Sequence, residues 1–136
     1  MPRMLVVDDD PAWRALYRMA YESHFDIFEA TDGYQGLLAL ESVDPDVILL
    51  DLRMPKMDGL DFIRRLDDKG VHPPIVVCSG AINGGERPLL PGVPLTPKTP
   101  DLRSLWEALR SAVPEVSEAT TVTRQATAIE DTFWRD

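Results

Sequence analysis

Cysteine is almost absent from this chain. Cys78 is the only one in 136 residues, so no internal disulfide can form, and a reducing, cytoplasmic setting is the simplest expectation. Positive charge is also scarce. The 14 Lys and Arg stand against 23 Asp and Glu, a net charge of −9, which argues against direct nucleic-acid binding, where a basic patch is the usual footprint. No apolar run approaches the roughly 20 residues of a membrane span. The layout of a signal peptide is missing too, because Asp8 interrupts the first apolar run at once. Hydrophobic residues nonetheless make up 44% of the chain, enough for one cored domain plus a tail.

The acid is placed in an unusual way. The apolar run Met4-Leu5-Val6-Val7 ends in Asp8-Asp9-Asp10, and Val47-Ile48-Leu49-Leu50 ends in Asp51. Two buried strands that finish in acid bring those acids to one rim of a parallel sheet, the rim where open α/β sheets bind ligands. Clustered carboxylates resist joint ionisation. A hard divalent cation relieves this, and Mg²⁺ is the first expectation.

Apolar periodicity predicts alternating strands and helices. Strands are expected at residues 3–8, 25–30, 46–51, 74–79 and 93–96. Helices are expected at 11–23, 33–43, 60–69 and 101–112. Pro11 suits a first helical turn. Leu37, Leu38 and Leu40 are read as the inward side of the second helix, and Leu60, Ile63 and Leu66 as that of the third. Leu102, Leu105, Trp106 and Leu109 make the stripe of the last helix, which Pro114 ends. This β-α repetition predicts a doubly wound parallel sheet.

The pattern degrades after Ser79. Gly84, Gly85, Pro88, Pro91, Gly92, Pro94 and Pro97 oppose a helix between the fourth and fifth strands, so that helix is expected to be degenerate or missing. The domain is expected to span residues 1–113. Residues 114–136 are then a tail, disordered or forming a short docking helix, because Val122, Ala126, Ile129 and Phe133 share one helical spacing.

Five groups converge at the strand ends: Asp8, Asp9, Asp51, Ser79 and Lys98. A carboxylate nucleophile can accept a phosphoryl group. Phosphoryl transfer needs positioning and charge neutralisation more than covalent help. Mg²⁺ and Lys98 would neutralise the phosphoryl oxygens, and Ser79 would hydrogen-bond one of them.

With these residues in view, the chain resembles the receiver domain of a two-component response regulator, of the single-domain, CheY-like kind. The matching text is Val6-Val7-Asp8-Asp9-Asp10-Pro11, Asp51-Leu52-Arg53-Met54-Pro55-Lys56-Met57-Asp58-Gly59, Ser79-Gly80 and Lys98. The resemblance spans roughly residues 3–112. It implies a flavodoxin-like five-stranded sheet in the order 2-1-3-4-5, with Asp51 as phospho-acceptor. Asp9 would bind Mg²⁺ directly and Asp8 mainly through water, with the backbone carbonyl of Arg53 completing the protein ligands. Ser79 and Lys98 would contact the phosphoryl group. The donor would be a phosphohistidine on a sensor histidine kinase or phosphotransfer protein. The protein would then be a substrate and switch rather than a turnover enzyme, a monomer or weak dimer signalling to a downstream protein by contact, since no output domain follows.

Some positions depart from the family pattern. Lys98 precedes Thr99 rather than proline, where a cis bond costs about 2.5–4 kcal/mol, and cis and trans both stay open. The usual switch aromatic is replaced by Leu95. Arg53 and Ala81 flank the site, and Ala81 offers no group to orient water, which predicts slow dephosphorylation. The alternative is a pseudo-receiver, a phosphate-independent interaction module. An aspartyl-phosphate phosphohydrolase ranks lower, because such enzymes carry an acid where Arg53 stands. A receiver cut from a hybrid kinase also ranks lower, given Met1 and the tail.

Several residues have plainer roles. Asp10 and Asp58 are expected as caps or turn residues. Cys78 is expected as a core thiol and Trp13 as a packing residue. His24 and His72 are expected on the surface, and Glu86-Arg87 as a solvated pair.

Overall fold

A computed structural model describes residues 1–80, 92–99 and 102–116. In chain order its elements are β1 (Arg3–Val7), α1 (Pro11–Tyr21), β2 (Asp26–Ala30), α2 (Gly33–Val43), β3 (Val47–Leu50), α3 (Gly59–Lys69), β4 (Ile75–Ser79), β5 (Leu95–Pro97) and α4 (Arg103–Ala112). The five strands are all parallel and lie in the order β2-β1-β3-β4-β5, as expected for a flavodoxin-like sheet. The segment between β4 and β5, where a helix was expected to be degenerate or missing, falls in residues 81–91, and the tail residues that share one helical spacing fall beyond residue 116. Both lie outside the described residues, as do Ala81 and Glu86-Arg87.

Strands that run apolar without alternation must be covered on both faces. Every residue of β3 is buried, and so is every residue of β1 after Arg3. On one face α1 and α4 pack Tyr17, Tyr21, Trp106 and Leu109 over Met4, Val6, Leu49 and Cys78. On the other, α2 and α3 pack Leu37, Phe62 and Leu66 over Leu5, Val7, Ile48 and Val77. The helices open as their cap residues dictate. The carboxylates of Asp10, Asp32 and Asp58 accept from the amides of Ala12, Gln35 and Asp61, at 2.9, 2.8 and 2.9 Å. Such bonds satisfy otherwise orphaned first-turn amides, so Asp10 and Asp58 are caps.

Two expectations fail here. Leu38 points to solvent and is 64% exposed. The inward side of α2 instead runs through Gly33, Gly36, Leu37, Leu40 and Val43. A Cβ on Gly36 would lie 2.9 Å from Phe62 Cε2 and 3.1 Å from Val7 Cγ2. The glycines therefore face inward and let α2 sit close to the sheet, which a count of leucines overlooks.

His24 is not on the surface. It is 5% exposed, with its ring centroid 4.8 Å from that of Trp106. The turn after α1 tucks it under α4, a contact between elements some eighty residues apart. The other histidine, His72, is partly buried and bridges Asp67 Oδ1 at 2.9 Å and the Pro73 carbonyl at 2.7 Å.

Strand β5 begins two residues later than expected, after Gly92 turns the chain at φ 79°. Helix α4 ends at Ala112. Beyond it, Val116 is fully buried in the α1–α4 layer, and its amide donates to the Val113 carbonyl at 3.1 Å.

Candidate functional site

Parallel register brings the strand ends together. Val7 pairs with Leu50, so the next residues, Asp8 and Asp51, emerge side by side. The Asp51 amide donates to the Val7 carbonyl at 3.0 Å. Ser79 pairs with Pro97, and the Lys98 amide donates to the Ser79 carbonyl at 3.1 Å. The groups expected to converge therefore share one rim.

Asp8 and Asp51 are 1% and 5% exposed, Ser79 is 1% exposed, and Asp9 is exposed. One carboxylate oxygen from each of Asp8, Asp9 and Asp51 lies within 4.8 Å of the others. Lys98 Nζ sits 2.8 Å from Asp8 Oδ2 and 3.2 Å from Asp51 Oδ2. Asp8 Oδ1 accepts from the Asp10 amide at 2.9 Å, and Asp51 Oδ1 from the Arg53 amide at 3.3 Å. The Arg53 side chain is exposed. Lys98–Thr99 is trans, as no cis bond occurs among the described residues. Cys78 is buried on the α1–α4 face, with Sγ 3.7 Å from the Pro97 carbonyl. Burial pushes its thiol up, as befits an unreactive core cysteine.

The electrostatics follow from burial. Desolvation raises Asp8 above the ordinary carboxylate value, although Lys98 and the Asp10 amide pull it back. Burial alone would lower the Lys98 ammonium. Its hydrogen bond to Asp8 and the charges of Asp8 and Asp51 outweigh that and hold it above its ordinary value. Three carboxylates facing one ammonium leave two negative charges in surplus. An all-oxygen donor set with that surplus fits a hard divalent cation such as Mg²⁺. The residues present therefore fit the expected ion.

Two neighbours escaped the sequence reading. Arg14 Nη1 donates to the Asp8 carbonyl at 2.8 Å and ties α1 to the end of β1. Trp13 packs, as expected, but its ring also lies 5.4 Å from Lys98 Nζ. Their position was the available signal. Both stand in the first turn of a helix that starts at the acidic rim, and residues there face the strand ends.

A doubly wound parallel sheet with an acid triad and a lysine at its carboxyl rim defines a receiver-type α/β domain. The response regulator receiver domain family matches residues 4–86, and the chain belongs to that family. Among curated relatives, a protein-glutamate methylesterase/protein-glutamine glutaminase of Cereibacter sphaeroides is 38% identical over 97 residues, covering 68% of this chain and 26% of the relative. The nitrate/nitrite response regulator NarL of Escherichia coli K12 is 42% identical over 79 residues, covering 56% of this chain and 37% of the relative. The matches thus span between about a quarter and two fifths of those relatives.

Among solved structures, the N-terminal domain of a Wolinella succinogenes protein superposes with TM-score 0.73 at 30% identity, covering 88% of this chain and 99% of that one. The response regulator TrrA of Thermotoga maritima, solved in complex with Mg²⁺ and BeF, superposes with TM-score 0.74 at 25% identity, covering 83% and 100%.

Proposed function

We propose that this receiver domain accepts a phosphoryl group on Asp51 from a phosphohistidine of a sensor histidine kinase or phosphotransfer protein, and signals to a downstream protein by contact. One observation carries the reading. A buried carboxylate, Asp51, lies at the strand rim with Lys98 bridging it to Asp8, an arrangement with no evident need in a merely structural rim.

An Asp51 oxygen attacks phosphorus as the phosphorus–nitrogen bond to the donor imidazole breaks. The departing imidazole nitrogen keeps the bonding electron pair, and a proton already on the other ring nitrogen of the donor makes the leaving ring neutral. Lys98 shifts from the carboxylates to a phosphoryl oxygen, and the Ser79 hydroxyl donates to another. Asp8, Asp9, Asp51 and the Arg53 carbonyl would hold Mg²⁺, which supplies positive charge to the phosphoryl oxygens when bound. The protein is then a cytoplasmic switch that catalyses only its own phosphotransfer and dephosphorylation. Among the described residues no helix is long and apolar enough to cross a membrane.

The test is intact-mass spectrometry after incubation with acetyl phosphate and Mg²⁺, with and without chelator. The expected result is a single phosphoryl adduct that needs Mg²⁺ and is missing from Asp51→Asn. An adduct that persists in Asp51→Asn removes Asp51 as acceptor. No adduct in the wild type favours a phosphate-independent interaction module.

A further inference from the structure

Lys98 must hold its ammonium at the rim although its own element anchors it weakly. It follows β5, a three-residue strand at the edge of the sheet, and a lysine stem carries much rotamer freedom. A third contact completes its surroundings. The face of Trp13 lies 5.4 Å from Nζ, while Asp8 pairs with the ammonium at 2.8 Å and Asp51 accepts a hydrogen bond from it at 3.2 Å.

We propose that Trp13 is a positioning residue for the phosphoryl-accepting site, its ring holding the Lys98 ammonium between Asp8 and Asp51. This rests on the receiver reading above. An aromatic face attracts a cation through its quadrupole. It offers no lone pair comparable to a carboxylate oxygen, so it does not compete with Asp51 or a phosphoryl oxygen for the ammonium hydrogens. The indole can therefore brace the lysine before and after phosphoryl transfer.

The ring is itself held. Trp13 stands in the first turn of α1, which the Asp10 cap opens and Arg14 ties to the Asp8 carbonyl. Tyr17, one turn on and fully buried, lies with its ring centroid 5.9 Å from that of Trp13. The tyrosine ring backs the indole, which is half-buried.

Trp13→Leu removes the ring but keeps an apolar side chain, and Trp13→Phe keeps a ring. In the full chain, three quantities separate positioning from packing. They are beryllofluoride affinity at saturating Mg²⁺, Mg²⁺ affinity alone, and the proton shift of the Lys98 ε-methylene. Trp13→Leu is expected to weaken beryllofluoride binding roughly three- to twentyfold, with Mg²⁺ affinity unchanged and the Lys98 ε protons moved downfield as ring shielding is lost. Trp13→Phe is expected to restore most of the affinity. Wild-type beryllofluoride affinity in Trp13→Leu, or an unmoved Lys98 resonance, overturns the proposal. A wild-type protein that binds no beryllofluoride overturns the receiver reading instead, and the Lys98 resonance then decides the Trp13–Lys98 pair by itself.

Discussion

The two helical layers that sandwich the sheet are built from different materials. The α1–α4 layer is aromatic and carries polar atoms: Tyr17, Tyr21, Phe25 and Trp106 share it with His24 and Cys78. The Tyr21 hydroxyl reaches across to donate to the Leu102 carbonyl at 3.3 Å. The α2–α3 layer is aliphatic and sulfur-rich, with Phe62 as its one large ring, and it closes on glycines at 33, 36 and 59. The first layer achieves fit by large rings, with the polar tip of Tyr21 bonded across the layer. The second achieves it by bringing backbones close. The difference teaches where each tolerates change: the aromatic layer should yield to loss of a polar tip, and the close-packed layer should not yield to added atoms.

The largest expected effect lies in the close-packed layer. Phe62 is fully buried against Gly36, so Phe62→Ala is expected to cost about 3–5 kcal/mol, read from urea unfolding. A smaller loss would mean that α2 collapses into the space and that the layer is less rigid than its glycines imply. Next come the added atoms. A Cβ on Gly59 would meet the Asp51 carbonyl oxygen and Leu52 Cα at 2.7 Å, both backbone. Gly59→Ala is expected to cost about 1–3 kcal/mol and to weaken beryllofluoride binding, because the strain falls on the loop that carries Asp51. Unchanged stability would contradict the close approach.

In the aromatic layer the expected effects are milder. Tyr21→Phe keeps the ring and removes one buried hydroxyl bond, so about 0.5–1.5 kcal/mol is expected. A cost as large as that of Phe62→Ala would erase the contrast between the layers.

At the seam between the layers, pH acts through Asp8. Burial raises its folded pKa above the ordinary 3.8, so its ionised form weakens the metal-free fold at neutral pH. As pH falls through the raised folded value toward 3.8, the folded state takes up the proton first and the weakening is relieved. Asp8→Asn is therefore expected to melt higher than wild type at pH 7 in chelator and to lose the gain in Tm that Mg²⁺ confers on wild type. Lower melting in chelator would mean that the Lys98 pair outweighs the cost of burial. The smallest effect belongs to Leu38→Ala on the outer side of α2, expected within about 0.5 kcal/mol because that side chain is 64% exposed.

Much of the frame was legible because it depends on local pattern. Apolar runs covered on both faces read as parallel strands, Pro11 marked a helix start, and Asp10 and Asp58 declared themselves as caps, since each of these is decided within a turn or two of chain. The convergence of Asp8, Asp9, Asp51, Ser79 and Lys98 was also legible. Parallel strands must place their carboxyl ends on one rim, so order along the chain becomes proximity in space. What failed was decided across the fold. Leu38 faces outward because the glycines of α2 took the inner positions, a choice set by how closely Phe62 and Val7 approach. His24 is buried because α4 covers the end of α1.

By itself, then, the sequence determined the alternation of elements, the acidic rim and the residue types able to hold a divalent cation, because periodicity and strand direction are properties of consecutive residues. Only the tertiary structure decided which side of α2 is inner, how deeply His24 lies, and that Trp13 sits against Lys98. Those contacts join residues far apart in the chain, and their partners are chosen by packing between layers, for which no local spacing carries a signal.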